Sequence, residues 1–289
     1  MAPSEKAGAP TESVAQRSAA PQPTPCHLDV KAADAAARLL NGAGSMTVVC
    51  HDGTRGYTLD TALHGAALDG TRYLVVAPAA GQWPAMDVER PQRVAMTVTA
   101  DAPLPEIRMN IAELSGHAVL TRCSEDEEAE LFNEGPQPSV IARAFACWPG
   151  AQLWRVEPLR MTIHHVHGCH ALDREALMPR SAWPTPQGEL DTIEALRGEW
   201  GPHLSGIITE LRAASSLTAA FPEAPGSPRC ATGRAYPVAV SDHELTLLMV
   251  DGPQRETVVV PLRQRVGSIE EFVEGVWEVV HQAASSRSA

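Results

Sequence analysis

Between Met46 and Arg122 the chain repeats one pattern: short runs rich in Val, Leu, Thr and Tyr, separated by turn residues, with no helical periodicity between them. The spacing predicts strands at 46–51, 57–63, 72–77 and 93–99, and a long pair within 106–122. Asp52-Gly53 and Asp69-Gly70 separate the first three, where hairpin turns need positive φ. Strands that follow one another without crossover helices point to an antiparallel sheet closing into a barrel, and disfavour a parallel dinucleotide-binding sheet.

The flanking segments complete an α+β plan. Residues 30–40 read as a helix with Val30, Ala33, Ala37 and Leu40 on one face, ended by Asn41-Gly42. Ser124 and Glu127 form a capping-box pattern that opens an acidic helix through Phe132, its charge well placed at the N-terminus, and 139–148 forms another helix. Strands at 152–157 and 159–167 return the chain to the sheet. Beyond them, 189–212 is helical in pattern but interrupted at Gly201-Pro202, and a Pro-rich loop spans 222–233. Three strands follow at 236–240, 244–250 and 257–262. A last helix begins at Ser268 and aligns Ile269, Phe272, Val273, Val276, Val279 and Val280. The expected organisation is a disordered tail (1–25), an antiparallel split β-barrel domain (26–182), a Pro/Gly-rich linker (183–188), and a small α/β domain (189–284) with a three-stranded antiparallel sheet and helices.

Composition narrows the partners. A net charge of −12 argues against nucleic acid and against anionic membrane surfaces, since both need clustered Lys and Arg. Six cysteines lie scattered without CxxC spacing and read as reduced thiols, mostly in the core. No apolar run suits a signal or a membrane span, so the cytoplasm is the expected compartment.

The most unusual stretch is 163–170, where His164, His165, His167, Cys169 and His170 fall within seven residues. Continued as a strand, it would place His165 and His167 on one side with Ile163, and His164 and Val166 on the other.

Three stretches carry a family resemblance. They are "APLPEIRMNIAELSGHAVL" (102–120), "LWRVEPLRMTIHHVHGCHA" (153–171), and 236–280, with the strand–strand–helix pattern "VSDHELTLLMV…VVVPLRQRVGSIEEFVEGVWEVV". Their order is similar to the haem-utilisation family of the HugZ type, in which a pyridoxamine 5′-phosphate oxidase-like split barrel precedes a small C-terminal domain. Where that family has a "VGGFGxA"-like turn, only Val166, Gly168 and Ala171 match, and the histidines replace the other positions. The resemblance implies a homodimer and a protein for haem storage, transfer or oxidative breakdown.

A haem pocket needs one imidazole nitrogen at an apolar slot and cations for the propionates. His167 and His170 are the first candidates for the iron, with His165 beside them and Arg160 as a propionate partner; Arg155 and Arg174 are also near in sequence. His203, beside Trp200 and Leu204, is a separate candidate. Other readings stay open. Any one strand histidine is more often structural than a ligand. A zinc site would use His165, His167, Cys169 and His170. An FMN-binding oxidoreductase would draw on Arg55, Arg72 and Arg93 with Thr54, Thr58 and Thr61 for the phosphate. A non-catalytic regulatory or interaction module would keep the fold without a cofactor. Asp242-His243 suggests a dyad, but there is no Gly-x-Ser-x-Gly nucleophile turn to accompany it.

Overall fold

Alternating burial shows why the first half of the chain is sheet. The computed structural model describes residues 27–52, 55–59, 61–77, 90–105, 107–133, 135, 138–178, 183–201, 204, 206–208, 218–222, 234–251 and 254–286. Helix α1 (His27–Leu40) leads into β1 (Ser45–Asp52), β2 (Arg55–Leu59), β3 (Thr61–Ala66), β4 (Arg72–Val76), β5 (Gln92–Asp101) and β6 (Asn110–Arg122). In β5 every second residue, Val94, Met96, Val98 and Ala100, is buried, which is the period of a strand with one face on a core. Helices α2 (Glu125–Phe132) and α3 (Val140–Cys147) follow, then β7 (Gln152–His165) and β8 (Gly168–Leu172). Both bonds of the expected Ser124–Glu127 capping box are present at α2.

The strands form one antiparallel sheet in the order β2-β1-β5-β6-β7-β4-β3, with β8 paired to the end of β7. The sheet curls on itself: Thr61 Oγ1 of β3, at one edge, donates to the Met46 carbonyl of β1, near the other, at 2.5 Å. Inside lie Val48, Leu74, Met96, Leu114, Leu120, Trp154 and Ile163, closed at one end by Ala32, Ala36, Leu39 and Leu40 of α1. This is the antiparallel split barrel of the expected α+β class.

Three details differ from the expected elements, the first being that the strand predicted at 57–63 is two strands, β2 and β3, at opposite ends of the strand order. The pair predicted within 106–122 is a single strand, β6, and the strands predicted at 152–157 and 159–167 are one strand, β7, with a bulge. The register slips where His117 faces Arg160 and Ala118 faces Pro158. Pro158 lacks an N–H for the ladder, so the strand bulges there instead of ending.

The second unit is α4 (Pro186–Ala195) continued by a π-helical turn (Leu196–Trp200), then β9 (Thr218–Pro222), β10 (Arg234–Ser241), β11 (Glu244–Asp251), β12 (Gln254–Pro261) and α5 (Ile269–Ser286). The three expected strands pair antiparallel, and β9 adds a fourth in the order β10-β11-β12-β9. Phe272 and Val276 of α5 are fully buried against Val238, Val240, Leu245 and Leu247, with Val273, Val279 and Val280 packed beside them. Ala102, Leu104 and Ile107, from the β5–β6 connection, enter this second core, so the two sheets are knitted together. Of the expected linker, Trp183 packs on Phe272 and Thr185 caps α4. The expected tail and the loop at 223–233 lie outside the described residues. Among the described residues, no helix is long and apolar enough to cross a membrane.

Gly116, at the middle of β6, is where β6 and β7 approach most tightly. A Cβ there would meet the Arg160 carbonyl oxygen and come within 2.8 Å of Met161 Cα, both backbone atoms that cannot rotate aside. Gly116→Ala should cost about 1–3 kcal/mol, the usual range for overpacking. Denaturant unfolding checks this; an unchanged midpoint would contradict the placement of β7.

Candidate functional site

The histidine-rich stretch is a hairpin, not a continuous strand. Strand β7 ends at His165, Val166 and His167 make the turn, and β8 returns with His165 opposite Gly168, His164 opposite Cys169 and Ile163 opposite His170. Gly168 has φ +113°, a conformation that favours glycine. Cross-strand partners share a face, so Ile163, His165 and His170 lie on one side, and His164 and Cys169 on the other. The expected alternation holds through His165; beyond it the chain has turned, and it is the turn that brings His167 beside His165. The His165 ring stands 5.4 Å, centroid to centroid, from those of His167 and His170.

His167 reaches across to the second sheet. Its Nε2–H donates to the carboxylate of Glu244, the first residue of β11, at 2.7 and 2.8 Å, and Lys31 Nζ of α1 donates to the same carboxylate at 2.6 Å. Burial by itself would raise the Glu244 pKa, but the hydrogen bonds from His167 and Lys31 overrule it and hold the group down at about 2. Two further bonds extend from the same helix stripe. Arg38 pairs with buried Glu189 of α4 at 2.5 Å, and Asp34 accepts from Arg265 at 2.8 Å. Lys31, Asp34 and Arg38 are spaced i, i+3, i+7, so one face of α1 presents +, −, + to −, +, − on the second unit.

Between these contacts lies a cavity of about 640 Å³, within the range of small-molecule sites. Leu39, Met109, Ile111 and Trp183 give it apolar walls, while Lys31, Arg38, His165, Asp242, His243 and Glu244 supply the polar ones. Among the described residues, Nε2 of His165 is shielded from solvent and has no hydrogen-bond partner. Burial, reinforced by the neighbouring His167 and His170, lowers this imidazole to about 4, so it is neutral near pH 7. In the tautomer that leaves the lone pair on Nε2, this nitrogen can ligate a metal or accept a hydrogen bond.

The remaining sequence candidates divide clearly. His170 has its Nδ1 3.5 Å from Asp29 and its Nε2 3.4 Å from the His167 carbonyl. Arg160 is exposed and lies on the β7 face of Thr162 and His164, opposite His165, so it does not join the cluster as a propionate partner. Arg155 is spent on Glu127 at 3.0 Å, and Arg174 lies 3.6 Å from Glu157. The zinc set does not assemble, because Cys169 faces away with His164 Nε2 3.5 Å from its sulfur. For the flavin reading, Arg72 is buried and bound to Asn41 and the Leu177 carbonyl, Thr61 is bound to Met46, and Arg93 is exposed. Thr54 and His203 lie outside the described residues, as does the Arg55 side chain.

Sequence reasoning missed Lys31, Asp34, Arg38, Glu189, Glu244 and Arg265, and set Asp242-His243 aside. The available signal was the i, i+3, i+7 stripe of mixed charge on an otherwise Ala/Leu helix.

No family model and no curated protein matches the chain. Among solved structures, a heme binding protein from Mycobacterium smegmatis is 17% identical over 88% of this chain and 98% of its own, with a TM-score of 0.48. A protein of unknown function from Agrobacterium tumefaciens str. C58 is 15% identical, covering 91% of this chain and 100% of its own, TM-score 0.36. A putative general stress protein 26 from Jannaschia sp. CCS1 is 15% identical over 49% and 81%, TM-score 0.30. Likenesses at this level carry no argument about what the cavity holds.

Acid should loosen this site in two stages. His64, buried with its Nε2–H on the Leu39 carbonyl, and His165 are both lowered, so the unfolded chain takes up their protons first. Their penalty is absent above the ordinary value of 6.5 and grows as pH falls, for His165 down to about 4. Glu244 contributes fully above its ordinary 4.5 and loses its contribution down to about 2. Glu244→Gln should flatten the lower stage and cost roughly 3–5 kcal/mol at pH 7, the range for breaking a buried pair. Urea midpoints measured from pH 8 to 3 test both stages; a wild-type midpoint that holds constant from pH 7 to 4 contradicts the assignment.

Proposed function

We propose that the chain binds haem in the cavity between its two sheets, with His165 Nε2 as an iron ligand. The observation that carries this reading is the shielded, unpartnered Nε2 of a neutral imidazole on the wall of a mostly apolar cavity. Desolvating that nitrogen is uncompensated within the chain, and coordination to a Lewis acid would offset the cost. His167 and His170, first choices from the sequence, fit less well. One is engaged by Glu244, and the other lies near Asp29 and the His167 backbone. Leu39, Met109, Ile111 and Trp183 suit a flat apolar macrocycle, and Lys31 and Arg38, each paired with a glutamate of the chain, are cations on the same wall. The iron would supply a coordination centre, and the protein's part is to hold the group through the His165 imidazole and exclude water from it.

The apoprotein titrated with hemin should give a Soret band shifted from that of free hemin, at one equivalent. His165→Ala should bind about tenfold more weakly or worse, a loss of 1.4 kcal/mol or more. His170→Ala should leave the band in place. A protein that yields no shifted band overturns the reading, as does a band indifferent to His165→Ala.

A further inference from the structure

A second histidine on the cavity wall comes from the other sheet. His243 sits in the turn between β10 and β11, where Ser241 pairs with Glu244. The Asp242 carboxylate accepts from its Nδ1–H at 2.5 Å. Asp242 is itself fixed, because Arg265 donates to it at 2.7 Å while reaching Asp34 of α1 at 2.8 Å. That chain of contacts places a proton on Nδ1, so in the neutral ring the lone pair is on Nε2. Among the described residues this nitrogen is shielded from solvent and has no hydrogen-bond partner; a Glu244 oxygen lies 3.6 Å away, an ion-pair distance when the ring is protonated. An imidazole whose Nδ1–H is carried by a carboxylate, with Nε2 left as donor, has the outer-shell arrangement of a metal-ligating histidine.

A simpler cation site in the same place does not hold up. Asp34, Asp242 and His243 bring ligand atoms within 4.8 Å of one another. The Arg265 guanidinium, however, already bridges the two carboxylates and supplies the positive charge there. What is left unmatched is the imidazole nitrogen, and the corresponding unmatched group is His165, on the barrel side of the same cavity.

We propose that His243 Nε2 is the second protein ligand to the iron of the group bound at His165, so that the ligand is clamped between the two sheets. The proposal rests on the haem reading above. Asp242 is a positioning residue that orients the ring, and Arg265 holds Asp242 to α1.

The test is hemin titration of the full chain, read by absorbance and by electron paramagnetic resonance of the ferric form. The wild type should be low-spin and six-coordinate. His243→Gly should still bind hemin but convert it to a high-spin form, and added imidazole should restore the low-spin signal, which a merely structural role would not allow. Asp242→Asn should weaken hemin binding by about tenfold, as loss of an outer-shell partner does, and give a mixed spin state. If His243→Gly folds poorly, His243→Met serves as the second variant, replacing the imidazole signature with that of a thioether ligand. A His243 variant with the wild-type spin state overturns this proposal and leaves the haem reading standing. Failure of the wild type to bind hemin removes both.

Discussion

The structure turns on one buried carboxylate. Glu244 opens β11, takes Lys31 from α1 and His167 from the β7–β8 hairpin, and so ties together three elements far apart in sequence. Such a pair adds little to stability compared with well-packed apolar groups, because desolvation consumes most of the attraction. Its effect is on geometry. With both partners present the carboxylate is satisfied, and with either displaced a charge is left buried, so the second sheet has one favourable seat on the barrel.

Helix α1 is built for that seat. Ala32, Ala36, Leu39 and Leu40 are buried against the barrel, and the small side chains allow close approach. The opposite stripe, Lys31, Asp34 and Arg38, meets Glu244, Arg265 and Glu189 in order of complementary charge. A shift of α1 by one turn would bring like charges together, so the stripe also fixes register along the helix axis.

How much of this was legible in the sequence follows from the range of each signal. The barrel was legible because strand alternation and Asp-Gly turns are local, as was the α5 stripe. The fused strand β7 was not, because Pro158 reads locally as an end, and only pairing with β6 shows it to be a bulge. The histidine cluster was visible as composition, but its division between faces depended on where the chain reversed. One turn at Val166–His167 moved His167 to Glu244 and left His165 as the unpaired ring. The charged stripe of α1 had the pattern of a solvated face, and nothing local distinguishes water from a second sheet as its partner. Asp242-His243 was seen as a dyad and set aside for want of a nucleophile, although holding a ring for coordination needs none.

The placement of the cavity along this seam limits what can give a ligand its affinity. Lys31 and Arg38 line it, yet both are already bound to carboxylates of the chain, Glu244 and Glu189. An anionic ligand would exchange one carboxylate for another at these cations, which is close to neutral in energy and would strand the displaced glutamate in a buried place. Among these two cations, the unpartnered Nε of Arg38 is the donor an acceptor on the ligand could engage without displacing a glutamate. The groups that gain from an occupant are those the protein leaves unmatched, the apolar walls, the nitrogens of His165 and His243, and Nε of Arg38. These groups come from both sheets at once, so occupancy of the cavity and the seating of the second sheet on the barrel are coupled.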